Sequence, residues 1–416
     1  MRLLRSALTR VHSSHPLKPR LPTRQVFHTS SILIPQSVSI GTEPRNMDSK
    51  IDIFEAAMQK VYGPYNISSQ PDTTWQPGNA GGHRGRYLWT DAFGVVNFIT
   101  LSRERHVHSA AYLHLARQLA NTVHDVLGRE REPSSTSTSA SRLPGATDEE
   151  PLNGGLRIGK LAENGPDGDG MYHHYLTLWM FALDVLARAT GEMHWNTLAV
   201  QLAQAIHPHF MVLRHGGRES MVWKISTDMR RVLVASQGHL DDVTGFAIYS
   251  LLRDTAARFG TISADDAVAE DEDEVLGSEI RQYARIMAHE DLSLSGDPLD
   301  LGMGLWVAHL DRDAEWAREL SAQAADVARR RFLDAATTPL TAASRLHRLA
   351  FREFGACLGI KCYGEGLDTL MDGVEAVLDV WKQKVMEEDE DDEDLRPINL
   401  VMYAAALIPG GKLNFS

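Results

Sequence analysis

The chain has 416 residues, 43% hydrophobic and 23% charged, a composition that excludes collagenous, disordered and disulfide-scaffold classes and suits one large globular domain or two or three small ones. Its two cysteines, Cys357 and Cys362, make no disulfide framework and sit in an apolar stretch that fits a reduced interior, and no apolar run approaches the roughly 18 to 20 residues that span a bilayer. The net charge is −13, yet residues 1–42 carry six cations and no acid, so residues 43–416 carry −19, which argues against nucleic-acid and anionic-membrane partners and leaves small neutral or cationic ones.

The first segment, residues 1–46, contains Arg2, Arg5, Arg10, Lys18, Arg20 and Arg24 among Ser and Thr. That is the composition of a mitochondrial transit peptide. The alternative is an extension upstream of a translation start at Met47, where the composition becomes that of a folded domain and the protein would be cytoplasmic.

From Met47 onward apolar residues recur with helical period through most of the chain, and little of it alternates with the period of a strand. Six segments are apolar nearly all round and predict inner helices: 92–102, 172–190, 243–259, 299–309, 349–358 and 397–407. Six amphipathic segments predict outer helices: 51–62, 109–127, 195–210, 279–289, 314–332 and 367–384. Twelve helices in alternating pairs predict an all-α fold, an (α/α)₆ toroid of six helical hairpins over residues 47–416. An open α-solenoid is the competitor, and uneven spacing with no repeat consensus argues against it. Residues 129–153, 261–277 and 387–394 read as solvated inserts. Residues 221–226 and 231–235 have strand character and predict a small β-hairpin before an inner helix.

The acids fall where helices begin. Asp91, Asp169, the pair Asp241 and Asp242, and Asp297 with Asp300 stand at the starts of successive inner helices. Each alone is a plausible N-cap, since Asp satisfies orphan N–H groups and the helix dipole. Together they converge on one cavity, because the inner helices of a toroid begin at the same end. Asp91, Asp169, Asp241 and Asp242 are therefore the candidate catalytic residues. Trp89, Tyr172 and Trp223 offer stacking faces, with Trp75 as a further one, and His173, His174, His239, Lys224 and Arg352 offer hydrogen bonds, as a saccharide site requires. Trp179 and Trp306 fall at helical spacing and read as core.

The stretches LWTDAF at 88–93 and DGDGMY at 167–172 resemble the six-hairpin glycosidase superfamily, including a set of fungal and bacterial six-hairpin proteins. Unsaturated glucuronyl and rhamnogalacturonyl hydrolases of that superfamily place catalytic aspartates at inner-helix starts, and the resemblance puts Asp91 and Asp169 at those positions. It implies a hydrolase acting on a small or unsaturated saccharide, one carboxyl protonating the substrate and the other activating water. The N-acylglucosamine 2-epimerases share the toroid and use histidines, whose nearest equivalents here are His174 and His239. A saccharide-binding scaffold without catalysis is a third reading.

Two other motifs carry less. Residues 154–161, GGLRIGKL, fit a P-loop until the last position, where Leu161 replaces the Ser or Thr that holds Mg²⁺, and no strand precedes them. The expectation is a loop at the cavity mouth and no nucleotide cofactor. His106 with His108, and His207 with His209, are pairs lacking a third ligand, so no metal is expected. The sequence implies no oligomeric state.

Overall fold

A computed structural model of the chain describes residues 44–67, 74–131, 140–165, 167–259, 274–289, 292, 294–337, 348–387 and 394–410. The amino-terminal segment up to residue 43 and the central parts of the three inserts lie outside the described residues.

Twelve α-helices run through the described residues: α1 (Pro44–Tyr62), α2 (Leu88–Glu104), α3 (Ser109–Leu127), α4 (His173–Thr190), α5 (His194–Phe210), α6 (Asp241–Phe259), α7 (Gly277–Met287), α8 (Pro298–Ala308), α9 (Glu315–Thr337), α10 (Ala350–Tyr363), α11 (Met371–Met386) and α12 (Arg396–Leu407). Even-numbered helices form the inner ring and odd-numbered ones the outer. The sequence dictates this sorting. In α4, thirteen consecutive residues from Tyr175 to Ala187 are buried, so the helix needs neighbours on every side. In α3, Ala111, Leu115, Leu119 and Val123 bury one stripe against the inner ring, and the opposite face stays wet.

Each inner helix packs on the next, and α12 returns to both α2 and α1. The buried Asn97 of α2 donates from Nδ2 to the carbonyl of Val401 in α12 at 3.0 Å. On the outer ring, Lys50 of α1 reaches Glu375 of α11 at 2.9 Å. The ring is closed, a toroid and not a solenoid. Its tightest contact joins α8 to α10: a Cβ on Gly302 would run into the Gly355 carbonyl, and one on Gly359 into the Gly302 carbonyl. Two helix backbones touch there because three glycines carry no side chain.

The strands are short: β1 (Met171–Tyr172), β2 (Met211–Leu213), β3 (Glu219–Met221), β4 (Lys224–Ile225) and β5 (Val232–Val234). The hairpin expected from the sequence is β4 against β5, antiparallel, with β1 on the other edge of β4. The run 221–226 is not one strand, however. Met221 pairs with Met211 in a separate β2–β3 ribbon, and the chain turns at Val222 and Trp223, whose N–H groups go to the carbonyls of Phe210 and Val234. That turn carries the Trp223 side chain to the open end of the ring.

Candidate functional site

A cavity of about 240 Å³ opens at the amino-terminal ends of the inner helices, small beside the roughly 300 to 1,000 Å³ of drug-sized ligand sites. All six inner helices reach it through their first turns: Trp89 from α2, His174 from α4, Asp241 from α6, Asp300 from α8, Arg352 from α10 and Ile398 from α12. The loop from Ser236 to Leu240 and the side chain of Trp223 complete the wall. Most of the lining is apolar or aromatic, with a few polar groups among it. Such a site stacks a small molecule and orients it by a few hydrogen bonds.

Three carboxylates line this cavity in three different settings. Asp241 begins α6, is 2% exposed, and accepts from the Gly238 N–H at 3.0 Å. Burial pushes its carboxyl up, but His173, His174 and the Gly238 N–H outweigh burial and hold it below the usual carboxylate range. Asp300, in the first turn of α8, is shifted the other way. Burial raises it and the neighbouring Asp297 adds to the rise, against opposing contributions from Ser295, His239 and Arg352. Asp297 is the N-cap of α8, accepting from the Leu299 N–H at 2.9 Å, and its other oxygen pairs with Arg352.

His174 forms the aromatic side of the site. Its Nδ1 accepts from the Trp223 indole N–H at 3.0 Å, and the two rings stack 5.7 Å apart. Acceptance at Nδ1 leaves the proton of the neutral ring on Nε2, and burial depresses this histidine to about 4, so it is neutral near pH 7. Behind it Tyr172 packs on Trp223 at 5.2 Å, with the Lys224 ammonium 5.0 Å over its ring. His239 is exposed, at the cavity rim.

Of the candidates from sequence, Trp89, His174, Trp223, His239, Asp241 and Arg352 line the cavity, and Asp297 and Asp300 join them. The others lie outside its wall. Asp91 is fully buried beside α1, accepting from Arg86 at 3.1 Å, from the Tyr87 N–H at 3.1 Å and from the Tyr62 hydroxyl at 3.3 Å. Asp169 precedes β1, not a helix. It accepts from the N–H groups of Gly159, Lys160 and Gly170 and from Arg157 and Arg131 at 2.7 and 2.9 Å. Both carboxylates have their lone pairs committed to buried cations and backbone, and neither faces the cavity. Asp242 is buried next to Asp241 but turned from the wall. Tyr172 and Lys224 support the wall from behind, Lys224 donating to the Gly168 carbonyl at 2.6 Å, and His173 lies beneath Asp241. Trp75 packs with Tyr65 and Phe98 in the core.

Residues 154–161 do not reach the cavity mouth. The backbone N–H groups of Gly159 and Lys160, which a phosphate would need, already hold the Asp169 carboxylate, so the P-loop likeness ends in an internal anion of the protein's own. His106 and His108 lie in an exposed helical turn, while His207 bonds Gln282 at 2.8 Å. Among the described residues no group of three His, Cys, Asp or Glu is placed to hold a metal, and no helix is long and apolar enough to cross a membrane. Cys357 and Cys362 are buried and unbonded to each other.

Sequence reasoning misses Trp306, which lines the cavity although its spacing reads as core. It also misses the separate role of Asp300. The signal for Asp300 lies in the sequence: two acids three residues apart around Pro298 cannot both be the cap, so one is left without that role.

The architecture matches known proteins. The chain superposes on a family 76 glycoside hydrolase from a bovine Bacteroides thetaiotaomicron strain with a TM-score of 0.50 and 13% identity, over 87% of this chain and 77% of that one. What the two share is the fold, an all-α (α/α)₆ toroid. A family 76 mannosidase from Bacteroides thetaiotaomicron VPI-5482 has a TM-score of 0.49 and 10% identity, over 87% of this chain and 98% of that one. No family model matches the sequence, and no curated protein matches it.

Proposed function

We propose that this protein is a glycoside hydrolase acting on a short neutral or cationic saccharide, with Asp300 as general acid and Asp241 as the carboxylate that activates water or attacks. The observation that carries this is a cavity in which two of the three carboxyls are pushed apart: Asp300 upward by burial and Asp297, Asp241 downward by the histidines beside it. Paired carboxyls with opposed shifts divide into acid and base. Trp89, Trp223 and Trp306 supply sugar-stacking faces, and the glycosidase fold supports the class of reaction. With Asp300 protonated, Asp241 and Asp297 still outnumber the one guanidinium of the lining, that of Arg352, and His174 is neutral, so the cavity disfavours uronates and sugar phosphates.

The test is turnover of a panel of neutral, amino and uronic oligosaccharides, measured by release of reducing sugar. Neutral or amino sugars are expected to be cleaved, and Asp241→Asn and Asp300→Asn each to lower kcat/KM by about 10² to 10⁴. Faster cleavage of uronides would overturn the substrate class. Binding of a sugar with no turnover of any would make the protein a saccharide-binding scaffold.

A further inference from the structure

Under Asp241 lies a buried pair of side chains that does not reach the cavity wall. His173 begins α4 and Tyr283 comes from the outer helix α7, and both are fully buried. His173 Nε2 and the Tyr283 hydroxyl are 2.7 Å apart. The other ring nitrogen, Nδ1, lies 3.8 Å from Asp241 Oδ1 and has no hydrogen-bond partner. Tyr283 reaches this depth through a notch in α6: Gly245, one turn beyond Asp241, carries no side chain, and a Cβ there would overlap the tyrosine ring.

We propose that His173 and Tyr283 are positioning residues that, seated by the Gly245 notch, hold Asp241 ionised and oriented toward the cavity. The proposal rests on Asp241 being the ionised carboxylate of the proposed hydrolysis. A tyrosine hydroxyl that donates to Nε2 leaves the imidazole proton on Nδ1, the nitrogen that faces the carboxylate. The other tautomer would set a bare lone pair against an anion in a dry interior, which is unfavourable. Burial carries Tyr283 well above the ordinary tyrosine range, so the hydroxyl keeps its proton to donate.

The other groups around Asp241 do not replace this N–H. His174, 3.9 Å away through Nδ1, commits that nitrogen to accepting from Trp223. Asp242 adjoins it on α6 and adds negative charge. From α5, His207 packs on the Tyr283 ring at 5.0 Å, and Tyr249 of α6 packs on it at 5.1 Å. Asp297 and Asp300 of α8 and Arg352 of α10 line the same cavity as Asp241, and His239 stands at its rim.

Two measurements test this without any substrate, so their failure is separable from failure to hydrolyse a sugar. In the wild-type protein, long-range ¹H–¹⁵N spectra of labelled histidine should show His173 as the Nδ1–H tautomer, and the Nε2–H tautomer would overturn the proposal. In Tyr283→Phe, which keeps the ring in the notch and removes only the hydroxyl, the ¹³C carboxyl titration of Asp241 should move up by about one pH unit. A folded Tyr283→Phe protein with an unmoved Asp241 titration also overturns it. If that variant does not fold, the wild-type tautomer decides. With an active substrate in hand, the acid limb of kcat/KM should rise by the same interval, an effect that loss of packing alone does not produce.

Discussion

Arg86 reaches Asp91 from five residues upstream, and burial of the pair is nearly complete, with 2% of the arginine side chain and none of the aspartate exposed. Removing the carboxylate strands a guanidinium in the core, so Asp91→Ala should destabilise the fold by about 3 to 5 kcal/mol in urea unfolding, while activity per folded molecule stays unchanged. Burial outweighs Arg86 and carries the Asp91 carboxyl up to about 6. In the unfolded chain it titrates near its ordinary value of about 4. The folded state therefore binds more protons between those values, and Asp91's contribution makes stability fall as pH rises through that window. The cavity pair has the opposite logic, in rate and not in stability. Asp241 must be ionised to act and is shifted down; Asp300 must be protonated and is shifted up. The pH profile of kcat/KM should be a bell whose acid limb lies below and whose alkaline limb lies above the ordinary carboxylate range. An alkaline limb that survives Asp300→Asn in a residually active enzyme would remove Asp300 from the acid role.

At the scale of elements, the glycine contact between α8 and α10 brings Asp297 and Asp300 to one wall of the cavity and Arg352 to the next. Gly302→Ala presses a methyl against the Gly355 backbone, which cannot swing aside as a side chain can. The expected outcome is destabilisation by about 1 to 3 kcal/mol or more, read from denaturant unfolding, with loss of saccharide binding as the Asp297–Arg352 pair separates. The helices themselves are legible in the sequence, because burial on every side or on one stripe leaves its period in the residues: 109–127 is read with the bounds of α3, and 172–190 lies one residue from α4. The site is only half legible. Convergence of helix starts follows from topology and is right, as Asp241 shows. Which acids remain free is decided by arginines: Arg86, visible nearby, and Arg131, 38 residues before Asp169 and folded back onto it. Period and spacing do not report such pairings. Trp306 escapes for a related reason, since an inner helix is buried all round and its cavity face looks like its core face.

Closure of the ring is a property of the whole molecule. An open array has two ends and tolerates loss of a terminal unit; a closed one makes its last helix a neighbour of its first two. Here α12 fills the gap between α10 and α2, contacts α1, and has every residue from Ile398 to Leu407 buried. Asn97 and Asn399 cross the seam, the first donating to the Val401 carbonyl and the second accepting from the Phe351 N–H at 3.1 Å. Ile398 is also part of the cavity wall. Removing residues 396–416 would expose apolar faces of α1, α2 and α10 at once and open the cavity on one side. Unfolding of the intact protein should be one cooperative transition, with tryptophan fluorescence and far-ultraviolet circular dichroism coincident. The truncated chain should lose that transition and bind hydrophobic dyes. A truncated protein that still melts cooperatively would show that the five remaining hairpins stand without the seam, and the ring would then be a solenoid whose ends happen to touch.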